Sequence, residues 1–289
     1  MSEKLSVLVI GATGNQGGAV AKSLLSKGHN LRTLTRNPDS PSAKKLAEAG
    51  VEVLKGDFSD SDSLIKAAKG VDTVYAMTTP FEEGTEAEMK QGIAISDAVK
   101  KVGVGHFIFG SVANADKKTG IPHFESKYEV EEHIKSLNIP YTISAPVFFM
   151  DNYLTPWYLP ALKEGKLTHA LPADRPLQQV SVKNIGEFVA VLVERREKVF
   201  GKRIDIAGDE LTGEESAAIF SKASGREIKY EGFDPEILRK ENEDFAAMYK
   251  WFNDVGYSVR IEKLHQDFPE LKWQDLNDWA REQDWSVLS

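Results

Sequence analysis

Residues 5–20 read LSVLVIGATGNQGGAV, and the architecture of the chain follows from how that stretch divides. An apolar run from Leu5 to Ile10 stops at Gly11, and glycine recurs at Gly14 and Gly17. An unbroken Val/Ile/Leu run is how a parallel strand covered on both faces looks in sequence. From Gln16 to Lys27 the apolar residues Val20, Leu24 and Leu25 share one helical face. Strand, glycine turn and helix in that order suit a dinucleotide: Gly11 allows the tight turn, Gly14 lets backbone approach the pyrophosphate, and Gly17 lets helix pack on strand. The phosphates then meet unpaired N–H groups at the positive end of the helix.

Composition narrows the class. Of 289 residues, 41% are hydrophobic and 28% charged, the balance of an ordinary globular protein with room for a large core. A formal charge of −8 argues against non-specific binding to nucleic acid or an acidic membrane surface. The absence of cysteine excludes disulfides, thiol catalysis and cysteine-ligated metal, and it fits a reducing compartment. No metal site is expected. The chain enters a strand within a few residues of Met1, and no apolar run reaches the roughly 20 residues of a membrane span. The expectation is a cytoplasmic protein, with the nucleus a second location.

The first half alternates strands and helices at doubly wound spacing. Strands are expected at 30–35, 51–55, 71–78, 105–109 and 141–144, with helices at 42–49, 61–68, 86–102 and 124–136 between them. In the 86–102 helix, Met89, Ile93 and Ala94 are spaced for one buried face. After Pro146 the rhythm breaks. Residues 147–180, rich in aromatics and proline, read as a pocket wall or lid rather than another sheet layer. A helix at 182–194, a strand at 202–207, a helix at 211–223, a short strand at 227–230 and a charged helix at 234–252 follow, with Trp273, Trp279 and Trp285 anchoring a last helix. The fold class is α/β, a Rossmann-type doubly wound parallel sheet with a smaller C-terminal α/β subdomain. Residues 1–152 form the Rossmann domain, with 180–207 returning to it, and 153–289 form the smaller subdomain.

Ligands of such sheets bind outside the carboxyl ends of the strands. The second strand ends in Thr35-Arg36-Asn37, where an NAD-preferring site carries an acid. A guanidinium pairs with a 2′-phosphate that a carboxylate would repel, so Arg36, with Lys44 and Lys45 adding charge, favours NADP(H), NAD(H) remaining open. After the third strand, Asp57 is placed for the adenine amino group and Phe58 for the ring. After the fourth, Thr78-Thr79-Pro80 would lie along ribose and phosphates, and after the fifth Ser111 would polarise a substrate carbonyl. Lys127 sits in His123-Phe124-Glu125-Ser126-Lys127. Short-chain reductases place a Tyr four residues before such a Lys, which lowers the phenol's pKa for proton donation. Here that residue is His123, a candidate acid, while Tyr128 points about 100° away around the helix.

These residues resemble the NmrA-like family of atypical short-chain dehydrogenase/reductases over nearly the whole length. The marks are G-A-T-G-N-Q-G-G at 11–18, T-R-N-P at 35–38, G-D at 56–57, E-M-K-Q-G at 88–92, H-F-E-S-K-Y-E-V-E-E at 123–132 and P-V-F-F-M-D-N at 146–152. The resemblance implies a Rossmann domain and a smaller C-terminal part with cofactor in the cleft. It implies Gly11, Thr13, Gly14, Asn15, Gln16 and Gly17 at the phosphates, Arg36 at the 2′-phosphate, and Asp57 and Phe58 at adenine. It further implies Thr78 near ribose, Lys127 at the nicotinamide ribose, and Phe148 with Asn152 near the nicotinamide.

Members of the family commonly bind NAD(P) and act as redox-sensing regulators through protein partners, in fungi a GATA-type transcription factor. Isoflavone-reductase-like relatives lack the Tyr and still reduce substrates with the Lys. The leading expectation is therefore an NADP(H)-binding redox sensor acting on a protein partner, a transcription factor or a metabolic enzyme, with no direct nucleic-acid contact; a homodimer is compatible. The alternative is an NADPH-dependent reductase of a small carbonyl or aromatic substrate, with Lys127 and His123 as catalytic groups.

Overall fold

The first strand starts at Ser6, and the computed structural model describes residues 3–289. The strands β1 (Ser6–Ile10), β2 (Asn30–Thr35), β3 (Glu52–Lys55), β4 (Thr73–Met77), β5 (His106–Gly110) and β6 (Tyr141–Pro146) alternate with five helices. These are α1 (Asn15–Ser26), α2 (Pro41–Glu48), α3 (Ser61–Ala68), α4 (Thr85–Val102) and α5 (Pro122–Ser136). The sheet runs β3-β2-β1-β4-β5-β6 with every neighbouring pair parallel. This is the doubly wound order whose direction reverses between β1 and β4, the switch point beside which ligands bind in such sheets. A seventh strand, at Lys202–Ile206, adds to the β6 edge. Val7 to Ile10 and Val74 to Ala76 are at most 1% exposed, as expected of strands covered on both sides.

The described chain separates into two units. The first comprises residues up to Asp116 with His123–Ala145 and Ile185–Ile204; the second comprises Lys117–Pro122, Pro146–Asn184 and Asp205–Ser289. Residues 146–152, read from sequence as part of the first domain, fall in the second because Phe148 and Phe149 pair with Gln179 and Val180 of that unit.

Three other expectations are corrected. Residues 147–180 carry strands after all: β7 (Phe148–Phe149), β8 (Lys166–His169) and β9 (Leu177–Val180), which are too short for alternation to show. The charged helix at 234–252 is broken. A 3-10 turn at Pro235–Lys240 ends, and Asn242 then caps a new helix at Glu243–Asp254 by accepting from the Phe245 N–H at 3.0 Å. Finally, the fully buried face of α4 carries Glu88, Gly92, Ile95, Ser96 and Val99, with Met89 and Ala94 only at its margin.

Candidate functional site

Gly11 follows β1 with φ +83°, a conformation glycine adopts without penalty. Its carbonyl accepts from the Gly14 N–H at 3.0 Å, closing the turn that feeds α1. The next two glycines differ in what they are for. A Cβ on Gly17 would lie 2.2 Å from the Gly11 oxygen, so this glycine is needed for helix to meet turn. A Cβ on Gly14 would meet only that oxygen, at an ordinary 3.5 Å, and its φ of −96° suits any residue. The protein itself does not require glycine at 14. Thr13, Gly14 and Asn15 are exposed, and Gly14 caps α1 without a side chain, so the first-turn N–H groups lack an intrahelical acceptor. Turn and helix end thus fit a diphosphate. The Gln16 side chain faces inward, donating to the hydroxyl of fully buried Tyr75 at 2.9 Å; only its backbone faces the turn.

Arg36 leaves the end of β2 with its side chain 62% exposed, and its Nη2 donates to Glu82 Oε2 at 2.7 Å. Lys44 lies 3.9 Å from Asp39, on the far side of a short turn. Asp57 Oδ1 accepts from the Ser59 N–H and hydroxyl at 2.8 and 2.7 Å. Those bonds, with the nearby Arg36 charge, hold the carboxyl below its ordinary range. Phe58 packs against the core while remaining part-exposed.

Lys127 and its surroundings depart most from a reductase site. Its Nζ donates to Glu88 Oε1 at 2.7 Å and to the Thr78 carbonyl at 2.8 Å. Glu88 is fully buried and also accepts from the hydroxyls of Ser126 at 2.5 Å and Thr78 at 3.3 Å. The Thr78 side chain therefore points into this cluster. The contact arises because α4 and α5 pack face to face. Glu88 and Gly92 stand one turn apart on α4, opposite Ser126, Lys127 and Val130 on α5. A Cβ on Gly92 would lie 2.6 Å from Val130, so the glycine sets the approach that brings carboxylate to ammonium.

The other groups of a carbonyl-reducing site are engaged elsewhere. The Ser111 hydroxyl donates to Glu131 Oε1 at 2.5 Å, and Glu131, fully buried, pairs with Arg203 at 2.9 Å. That corrects the expectation of a hydroxyl placed for a substrate. The Tyr128 ring lies under the Lys135 ammonium at 5.3 Å, and burial together with Glu132 raises its pKa. His123 is buried in the first turn of α5, its ring edge-on to Phe124 at 4.8 Å.

The NmrA-like family profile matches residues 3–280. The chain belongs to the NmrA-like family. An NmrA-like family domain-containing protein of Dictyostelium discoideum is 31% identical, with 89% of each chain covered. The triphenylmethane reductase of Citrobacter sp., solved with NADP(H), superposes with a TM-score of 0.82 at 22% identity, covering 96% of this chain and 99% of that one. NmrA, a negative transcriptional regulator solved with NADP, gives 0.82 at 20% identity, with 98% and 99% covered. At such identities the two superpositions establish the fold.

In this NmrA-like chain, Phe148 and Asn152 belong to the second unit. Phe148 is buried against Tyr153, Tyr158 and His169, with ring centroids 5.5–6.0 Å apart. The Asn152 carbonyl accepts from the Thr155 N–H and hydroxyl. Sequence reading missed Glu88, Ser126, Glu131 and Arg203 as partners. E-M-K-Q-G does place a carboxylate one turn before Gly92, but only the packed α5 shows that this face is buried.

Proposed function

We propose that this NmrA-like protein is an NADP(H)-binding regulator that passes the state of its dinucleotide to a protein partner. One observation carries the choice over a reductase: Lys127 is tethered to Glu88 and the Thr78 carbonyl while the Ser111 hydroxyl is held by Glu131, even as the glycine turn and the Arg36 guanidinium remain exposed. The glycine turn is thus open to a phosphate and Arg36 is held only by a solvent-exposed carboxylate, whereas the Lys127 ammonium and the Ser111 hydroxyl are held by buried ones. The N–H groups of Thr13 and of Asn15 to Gly17 would hold the pyrophosphate, Arg36 the 2′-phosphate, and Asp57 with Phe58 the adenine. Lys127 would offer its remaining N–H to the nicotinamide ribose. The NADP and NADP(H) bound to NmrA and to the triphenylmethane reductase support the cofactor; NmrA's regulatory role supports a partner. NADP(H) itself supplies hydride chemistry when bound.

The second reading is an NADPH-dependent reductase of a small carbonyl or aromatic substrate. The reductase among the structural neighbours favours it, and His123 would have to act as the acid. The two readings separate in one experiment. Partner capture with NADP⁺, NADPH and no cofactor, run beside NADPH oxidation over a carbonyl panel, should show capture that follows cofactor state and negligible turnover. Brisk turnover with cofactor-indifferent capture would overturn the regulator.

Cofactor choice has its own test. Arg36→Glu should weaken NADP⁺ by one to two decades, since a charge-assisted hydrogen bond is worth about 1.5–3 kcal/mol, and leave NAD⁺ roughly unchanged. Equal losses for both dinucleotides in calorimetry would place the preference elsewhere.

A further inference from the structure

Arg36 and Glu82 follow strands that are not neighbours. β2 and β4 lie on either side of β1, so an ion pair between their trailing loops crosses above the Gly11 turn, over about two strand spacings. Glu83 stands 3.9 Å from the same guanidinium. Within the loop carrying both acids, the Gly84 N–H donates to the Pro80 carbonyl at 2.8 Å, Glu83 accepts from Gln91 at 3.1 Å, and Phe81, 68% exposed, has its ring 6.2 Å from that of His123.

We propose that Glu82 is a built-in competitor for the 2′-phosphate subsite, a latch across the dinucleotide crevice that NADP(H) opens and NAD(H) leaves shut. The inference rests on the reading of Arg36 as the 2′-phosphate ligand. Both partners of the pair are about 60% exposed, and pairs of that kind are individually weak. A phosphate monoester brings about −1.5 to −2 charges and bidentate geometry, so it displaces a single carboxylate from the guanidinium. Once it is there, Glu82 and Glu83 face a like charge, and the 79–84 loop moves off. An NAD(H) molecule, with a hydroxyl in place of the phosphate, gives the loop no reason to leave. The subsite sits at the adenosine end of the cofactor. The latch therefore reports whether the dinucleotide carries its 2′-phosphate, and it is blind to whether the nicotinamide is oxidised or reduced.

The test is calorimetry of the parent and Glu82→Gln with NADP⁺, NAD⁺ and adenosine 2′,5′-bisphosphate, joined to hydrogen exchange across 79–91. Removing the competitor should tighten NADP⁺ and the bisphosphate by about two- to fivefold and leave NAD⁺ unchanged. NADP⁺ should speed exchange around Gly84 in the parent, NAD⁺ should not, and in Glu82→Gln exchange there should be fast without ligand. If NADP⁺ binds the parent through Arg36 and Glu82→Gln changes neither affinity nor exchange, the latch is wrong and the cofactor reading stands. A parent that binds none of the three ligands overturns both.

Discussion

Glu88→Ala is expected to cost this protein about 3–5 kcal/mol of stability, the range found when one member of a buried ion pair is removed. The carboxylate is fully buried and accepts three hydrogen bonds, from Lys127, Ser126 and Thr78. Without it the ammonium of Lys127, a residue only 8% exposed, keeps the Thr78 carbonyl as its protein acceptor and loses its counter-charge. Glu88→Gln should cost less, because the amide oxygen can still accept from Lys127 and Thr78 while its N–H donates to the Ser126 hydroxyl. The informative variant is the double replacement Glu88→Gln with Lys127→Met. Since the charge stranded by one change is removed by the other, the double variant should be less damaged than the summed single costs by roughly 0.5–3 kcal/mol. Urea unfolding followed by circular dichroism reads the parent, Glu88→Ala, the two single replacements Glu88→Gln and Lys127→Met, and the double. Strict additivity would show that the two side chains do not act as a pair.

The second large effect separates two glycines three residues apart. Gly14→Val should leave circular dichroism and the unfolding midpoint close to the parent's, because a Cβ at 14 meets nothing closer than 3.5 Å and the backbone φ is unstrained. It should nevertheless weaken NADP⁺ by about 100-fold or more, as the branched side chain holds the pyrophosphate off the backbone N–H groups and loses bonds worth about 1.5–3 kcal/mol each. Gly17→Ala should do the reverse first. Its Cβ would sit 2.2 Å from a backbone oxygen, and forcing α1 away from the turn should cost about 1–3 kcal/mol or more before any ligand is added. A Gly14→Val protein that unfolds early, or that binds NADP⁺ as the parent does, would separate the turn from the phosphate site.

How far the sequence could be read depended on the range of the interactions. The glycine turn was legible because a strand, three glycines and a helix are contiguous, and Arg36 because its place follows from the end of one strand. The inward turn of Gln16 was not. Its cause is a buried Tyr75 hydroxyl 59 residues away, and local periodicity carries no trace of that partner. Glu88 was hidden for the same reason: a carboxylate in a helix reads as a solvent face until α5 supplies Ser126 and Lys127. Ser111 was placed at the correct strand end, yet Glu131 and Arg203, brought in from later in the chain, decide what its hydroxyl does. The short strands at 148–149, 166–169 and 177–180 are beyond pattern reading, since two to four residues hold too few alternations.

The first unit is not continuous in the chain, and this bears on its birth at the ribosome. Its last segment, Ile185–Ile204, comes after about 40 residues that belong elsewhere. Within it Ile185, Phe188, Val189, Leu192 and Val193 are buried, Gly186 packs where a Cβ would lie 2.5 Å from the Ala19 carbonyl on α1, and Arg203 completes the anchor on Glu131. When Ala145 has been translated, every strand end of the candidate site exists, yet the outer face of α1 and the β6 edge still await their partners. At about 5–20 residues per second the missing piece follows roughly 3–12 s later. During that interval the nascent chain exposes apolar surface and an unpaired strand edge, the features that chaperones recognise and that drive aggregation.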